Sequence, residues 1–184
     1  MIIAFHGRAG AGKDTAADYL CQTRSLEKLA FADPLKEGCR HLFALSDKQL
    51  YDPKEKEIND VRWNKSPRQL MQWLGTDVLR SQLTNDFFIR HMRTRIYSII
   101  GNKDKSWSAE DSGGVVICDV RFQDEADLVK TLGGTIIKII RPGHKGTTTH
   151  HSSEGDGIQC DHTIINDSTP DKIYKALEEF MSQE

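Results

Sequence analysis

Near the start of the chain, Gly7-Arg8-Ala9-Gly10-Ala11-Gly12-Lys13-Asp14-Thr15 has the residue types and spacing to hold a phosphate. Glycines let successive backbone N–H groups curl round an anion with no Cβ in the way. Lys13 adds a full positive charge where a helix N-terminus adds a partial one. The usual pattern is G-x-x-x-x-G-K-[ST], with the hydroxyl turned toward Mg²⁺. Here Asp14 takes the hydroxyl position and Thr15 follows it. A carboxylate beside a triphosphate is repelled. It becomes favourable if Mg²⁺, held by Asp14, Thr15 or both, lies between them. The alternative is that Asp14 only favours the first helical turn.

Other residues could complete such a site. Asp119 ends the apolar run Val115-Val116-Ile117-Cys118, where an acid can hold Mg²⁺ or its waters, and Arg121 follows two residues on. An arginine there can clamp a phosphate through paired N–H groups. A plain Asp119–Arg121 turn interaction is the alternative. Asp124 and Glu125 suit a helix N-terminus better than chemistry. Asp33 and Lys36 follow a second apolar segment, Leu26 to Phe31. Lys36 fits either a phosphate-bearing partner or a wet helix face.

Ser66 to Arg80 reads as a helix, with Ser66 as N-cap and Pro67 in the first turn. At about 100° per residue, Leu70, Met71, Leu74 and Val78 share one face. Gln69, Gln72, Thr76 and Arg80 share the opposite face, flanked by Arg68 and Trp73. Two amides, a hydroxyl, an arginine and an indole can read a base edge, bind phosphate and stack on a ring. Gly75 permits a close approach by ligand or backbone. Further on, Arg141 and Lys145 suit a segment that closes on phosphates. His150 and His151 lack the well-spaced partners of a metal site.

These groups must be positioned by the elements around them. Apolar runs at Met1 to Phe5, Leu26 to Phe31, Val115 to Cys118, Thr135 to Ile140 and His162 to Ile165 read as strands. Helical patterns lie between them, notably Phe122 to Leu132 and Pro170 to Met181. Strands alternating with helices predict an α/β fold with a parallel sheet, ligands gathering at the strands' carboxyl ends. The chain of 184 residues reads as one domain, 1–184. A mainly helical insertion at about 34–100 would bind substrate, and a segment at about 142–160 would act as lid. Asp52 to Lys65 reads as an exposed charged connection, and Asn102 to Gly114 as a mobile loop.

A net charge of −2 gives no electrostatic case for a nucleic acid polymer or an acidic membrane as partner. No apolar run approaches the roughly 20 residues that span a bilayer, and the start does not read as a signal peptide. The four cysteines form no C-x-x-C pair, which fits a reducing cytoplasm, that of the host if the chain is viral.

Taken together, GRAGAGKDT, FADPLK, SPRQLMQWLGTDVLR, DVRFQDEA, HSSE and DHTIIND resemble the deoxynucleoside monophosphate kinases of bacteriophages, within the P-loop nucleoside monophosphate kinase superfamily. The likeness covers most of the chain in order, and includes the GKDT variant. It implies a three-layer fold with a five-stranded parallel sheet in the order 2-3-1-4-5. It implies ATP as donor, Mg²⁺, and a deoxynucleoside monophosphate as acceptor. By the same likeness, Lys36, Arg68, Gln69, Gln72, Arg80 and Arg121 fall at the acceptor site, Arg141 at a lid arginine, and Asn166 near the donor adenine. Lys13, Arg121 and Arg141 would supply catalytic charge. Another small-molecule kinase such as dephospho-coenzyme A kinase, or a nucleotide-binding module that transfers nothing, remains open at this point. So do base preference and assembly as a homodimer.

Overall fold

The computed structural model describes residues 1–101, 113–143, 157–167 and 169–182. Much of the expected loop at 102–114 and most of the expected lid at 142–160, including His144, Lys145, His150, His151 and Glu154, lie outside them. The chain divides into a sheet unit, Met1–Phe31 with Met92–Glu184, and a helical unit, Ala32–His91.

In the sheet unit, β1 (Ile2–His6), β2 (Glu27–Leu29), β3 (Val115–Val120), β4 (Thr135–Ile140) and β5 (His162–Ile165) form a five-stranded parallel sheet in the order β2-β3-β1-β4-β5. β1 is central, with Ala4 opposite Ile117 of β3 and Ile136 of β4. Its residues Ile2 to Phe5 are all buried, as expected for a strand covered on both faces. Helices α1 (Lys13–Arg24), α6 (Gln123–Thr131) and α7 (Pro170–Met181) belong to this unit. Ala16, Ala17 and Leu20 of α1 pack with Ile3, Phe5, Ile173 and Leu177 in one core. Each fully buried Ile, Leu or Phe there contributes about 1.5–3 kcal/mol. β2 is shorter than the apolar segment suggests. Beyond it, the Phe31 N–H leaves the ladder and donates to Asp119 Oδ1 at 2.7 Å.

The helical unit holds α2 (Asp33–Phe43), α3 (Asp47–Tyr51), a 3₁₀ turn (Glu55–Glu57) and α4 (Pro67–Gln72). α4 runs on without a break into a π-helix, Trp73–Leu83. The last long helix, α5 (Phe87–Ile100), begins in this unit. Cys39, Leu45, Leu50, Leu70 and Leu74 form a separate core with Leu35, Phe43 and Met71 against it. Asp52 to Lys65 is exposed for the most part, but it is not a loose connection. Buried Asp60 accepts from Arg62 Nε at 2.9 Å, Arg62 Nη2 at 2.6 Å and Gln49 Nε2 at 2.9 Å. Arg62 reaches on to the Ala44 carbonyl, and Trp63 Nε1 donates to the Phe43 carbonyl at 3.0 Å.

Candidate phosphate-binding site

The loop between β1 and α1 has the backbone its glycines allow. Gly7 has φ +146°, and a Cβ there would lie 2.3 Å from the Ile139 carbonyl oxygen of β4. Gly12, the residue before α1, has φ +106°, and a Cβ would lie 2.8 Å from Asn166 Nδ2. Neither position accepts a side chain without strain. Ala11 is buried, while Arg8, Ala9 and Gly10 are exposed. Lys13 opens α1 and folds back over the loop, its Nζ donating to the Gly7 carbonyl at 2.7 Å and the Arg8 carbonyl at 2.9 Å. Burial, and then the positive charge of Arg121, hold the Lys13 pKa below its ordinary value. An anion in the loop would offset both causes.

Gly10, Gly12, Lys13, Asp14, Thr15, Arg141, Asn166, Pro170 and Ile173 line a pocket of about 300 Å³. Arg141 Nη1 lies 3.4 Å from the Gly10 carbonyl, which it approaches as donor. Asn166, buried just past β5, donates from Nδ2 to the Ala11 carbonyl at 2.8 Å. Thr15 and Asp14 give this wall hard oxygen donors of the kind Mg²⁺ selects. On that chemistry the residues fit Mg²⁺. Asp119 is not part of the pocket wall, and one of its oxygens is taken by the Phe31 N–H. The Glu125 carboxylate accepts from the Arg121 N–H at 2.8 Å and the Phe122 N–H at 3.2 Å, fixing the turn that carries Arg121 into α6.

Sequence reasoning missed Lys28. From β2, its Nζ lies 3.0 Å from Asp14 Oδ1 and 2.9 Å from Asp18 Oδ1. Burial raises the Asp14 pKa, but the Lys28 hydrogen bond and charge outweigh it, and the value falls below the ordinary one. Lys28 itself is disfavoured by burial yet pushed up by its bonds to Asp18 and Asp14. The only signal in the sequence was a lysine in a short apolar segment.

The helical unit contains the rest of the sequence-predicted residues. Ser66 caps α4, accepting from the Gln69 N–H at 3.3 Å, while Gln69 Oε1 accepts from the Ser66 N–H at 2.9 Å. Gln69 therefore closes its own helix, a role the face plot did not assign. The stripe through Gln69, Gln72, Thr76 and Arg80 does not continue as drawn, because the π-helical turn widens past Trp73. Ser81 Oγ and the Thr84 N–H each donate to carbonyls five residues back, those of Thr76 and Leu79. Gln69, Gln72, Trp73 and Thr76 are exposed, whereas Arg80 is half-buried with its guanidinium 5.1 Å from the Phe88 ring centroid. Buried Gly75 permits the close approach of a side chain, since a Cβ would lie 2.9 Å from Leu35 Cδ2. Arg68 Nε donates to Glu57 Oε1. Lys36 Nζ sits 4.7 Å from the Tyr51 ring centroid, and half-buried Asp33 opens α2. Trp73 lies 6.3 Å from Phe43, centroid to centroid.

A central parallel strand, a glycine loop and a lysine on the following helix define a P-loop kinase fold. Solved structures agree on the fold. The APS kinase of Mycobacterium tuberculosis, solved with AMPPNP and APS, matches with a TM-score of 0.53 at 11% identity, over 98% of this chain and 96% of its own. Dephospho-CoA kinase from Campylobacter jejuni matches at 0.51 and 12% identity, over 99% and 98%. At the sequence level, residues 41–177 match the profile described as deoxynucleotide monophosphate kinase. A protein of Acanthamoeba polyphaga mimivirus, provisionally named for that activity, is 40% identical over 96% of this chain and 94% of its own. The deoxynucleotide monophosphate kinases of Escherichia phage RB69 and Enterobacteria phage T4 are 26% and 28% identical over 76% and 65% of this chain. The chain spans about half the length of those two phage enzymes, 54% and 47%. The chain belongs to the deoxynucleotide monophosphate kinase family. It is a phosphotransferase acting on deoxynucleoside monophosphates.

Proposed function

We propose that ATP is the donor, with its phosphates over Gly7–Thr15, and that its γ-phosphoryl group passes to the 5′-phosphate of the acceptor, giving ADP and a deoxynucleoside diphosphate. The observation that carries this reading is the pocket wall shared by Lys13, Thr15, Arg141 and glycine backbone. A phosphate monoester has a second pKa of about 6, so the attacking oxygen is already anionic near neutral pH. No general base is needed, and the work falls to alignment and charge. Lys13 and Arg141 approach the phosphates from the loop side, and Arg121 adds positive charge beside Lys13. Asn166, Pro170 and Ile173 are assigned to the adenosine end of the pocket. Mg²⁺, when bound, neutralises charge on the donor phosphates; Thr15 and Asp14 are the residues that would hold it, and Asp119, whose charge acts on Lys13, would hold its waters.

In the helical unit, Lys36, Arg68 and Arg80 are assigned to the acceptor phosphate. Gln69, Gln72, Thr76 and Asp33 are assigned to polar groups of the nucleoside, and Trp73 to its base. The acceptor is a free mononucleotide, not a nucleic acid polymer or a membrane component, and the reaction belongs in the cytoplasm. Among the described residues no helix is long and apolar enough to cross a membrane. The reading treats 1–184 as one kinase domain with an acceptor-binding insertion at about 34–100 and a lid at about 142–160.

The test is ADP release and product phosphorylation across dTMP, dGMP, dCMP, dAMP, their ribose forms and dephospho-coenzyme A. Transfer to at least one deoxynucleotide is expected. Transfer confined to dephospho-coenzyme A, or ATP hydrolysis independent of any acceptor, would overturn it.

A further inference from the structure

The acidic residue of the loop raises a problem that its neighbours resolve. Asp14 lines the pocket beside Lys13, where the triphosphate of the proposed reaction must lie. Asp18 lies one helical turn further along α1, on the same face. Two carboxylates on that face would repel each other and oppose an incoming polyanion. Lys28 of β2 sits between them, at 3.0 Å from Asp14 and 2.9 Å from Asp18. Its side chain is 32% exposed, against 77% for Asp14 and 58% for Asp18, so the cation is the most sheltered of the three. β2 and β3 are paired in register, Lys28 opposite Val116 and Leu29 opposite Ile117. The sheet therefore presents the Lys28 ammonium to the first turns of α1.

We propose that Lys28 is a positioning residue for the phosphate loop. It neutralises and orients the Asp14 carboxylate so that an acid can follow the loop lysine without repelling the donor triphosphate. Its effect runs through Asp14, and it touches neither substrate. The inference rests on the reading that ATP binds at Gly7–Thr15.

A double-mutant cycle tests it by direct ATP binding, measured calorimetrically in EDTA so that metal affinity plays no part. Lys28→Met should weaken ATP binding on the order of tenfold, the middle of the range for residues in contact. Lys28→Arg should restore binding. In an Asp14→Asn background, Lys28→Met should change ATP affinity far less, because the carboxylate it balances on the pocket wall has been removed and only Asp18, outside that wall, remains. With full enzyme and Mg²⁺, Lys28→Met should raise the ATP KM and leave the acceptor KM unchanged. Circular dichroism and melting of each variant confirm that it is folded. Unchanged ATP affinity in folded Lys28→Met, or an equal loss in both backgrounds, overturns the inference while leaving the function reading intact. Failure of the wild-type chain to bind ATP both in EDTA and with Mg²⁺ present overturns both.

Discussion

In the sheet unit, the lysine, arginine and amide side chains at the pocket are tied to main chain. Lys13 bonds the Gly7 and Arg8 carbonyls, Asn166 bonds the Ala11 carbonyl, and Arg141 approaches the Gly10 carbonyl. In the helical unit, the basic candidate groups are tied to other side chains. Arg68 bonds Glu57, Lys36 lies over Tyr51, and Arg80 lies over Phe88. A backbone anchor moves only if the fold moves, whereas a side-chain tether can be exchanged for a ligand at the cost of rotamer entropy and a weak contact. The first arrangement suits a phosphate chain that is the same in every turnover. The second suits a partner whose shape varies.

The comparison predicts a ranking of effects. Lys13→Ala should lower kcat by about 10²–10³-fold while the protein stays folded, the cost of removing one preorganised charge donor. Near-normal turnover in a folded variant would break the comparison at its strongest point. Gly12→Ala should come next, because φ +106° and the contact with Asn166 both oppose a Cβ. Backbone strain of this kind costs on the order of 1–3 kcal/mol, read as a lower melting temperature and weaker ATP binding together. Arg80→Ala should raise the acceptor KM by about tenfold and leave the ATP KM nearly unchanged, the signature of lost binding to one substrate. Equal changes in both would remove the distinction between the two units.

The smallest effect concerns stability against pH. Hydrogen bonds from Arg62 hold the Asp60 carboxyl below its usual value, against the opposing effect of burial. A depressed carboxylate contributes stability that is fully present above the unfolded pKa of about 3.9 and is lost as pH falls through the lower folded value. Asp60→Asn should therefore lower the melting temperature at neutral pH, and the gap to wild type should narrow on acidification below about pH 4. A gap that stays constant across that range would show that Asp60 acts by shape and not by charge.

Most of the sheet unit was legible because its rules are local. Strand alternation with helices, the glycine spacing and Pro170 at the start of α7 all act within a few residues. The placement of Asp124 and Glu125 at the start of α6 follows the same logic, and Glu125 does close that turn. Lys28 could not be read, because its partners Asp14 and Asp18 meet it only through the docking of α1 on the sheet edge. The helical unit was legible in type but not in detail. The face plot fails at Trp73, where the turn widens and Arg80 comes to rest on Phe88. Nothing in Trp73 to Leu83 marks that change, since π-helical turns have no residue signature comparable to a proline or a cap. Asp60 was hidden for a different reason. A charged stretch reads as solvated, and only pairing with Gln49 and Arg62 makes it structure.

The bond from Asn166 to the Ala11 carbonyl has a consequence for how the protein comes into being. The loop is made before its clamp, which arrives 155 residues later. Chains elongate at roughly 5–20 residues per second, so a growing polypeptide holds the loop unclamped for many seconds. Gly12 meanwhile lacks both Asn166 and the Ile173 methyl that close over it. A truncated chain that ends before β5 should therefore carry every residue of the motif without the strand and helix that brace it.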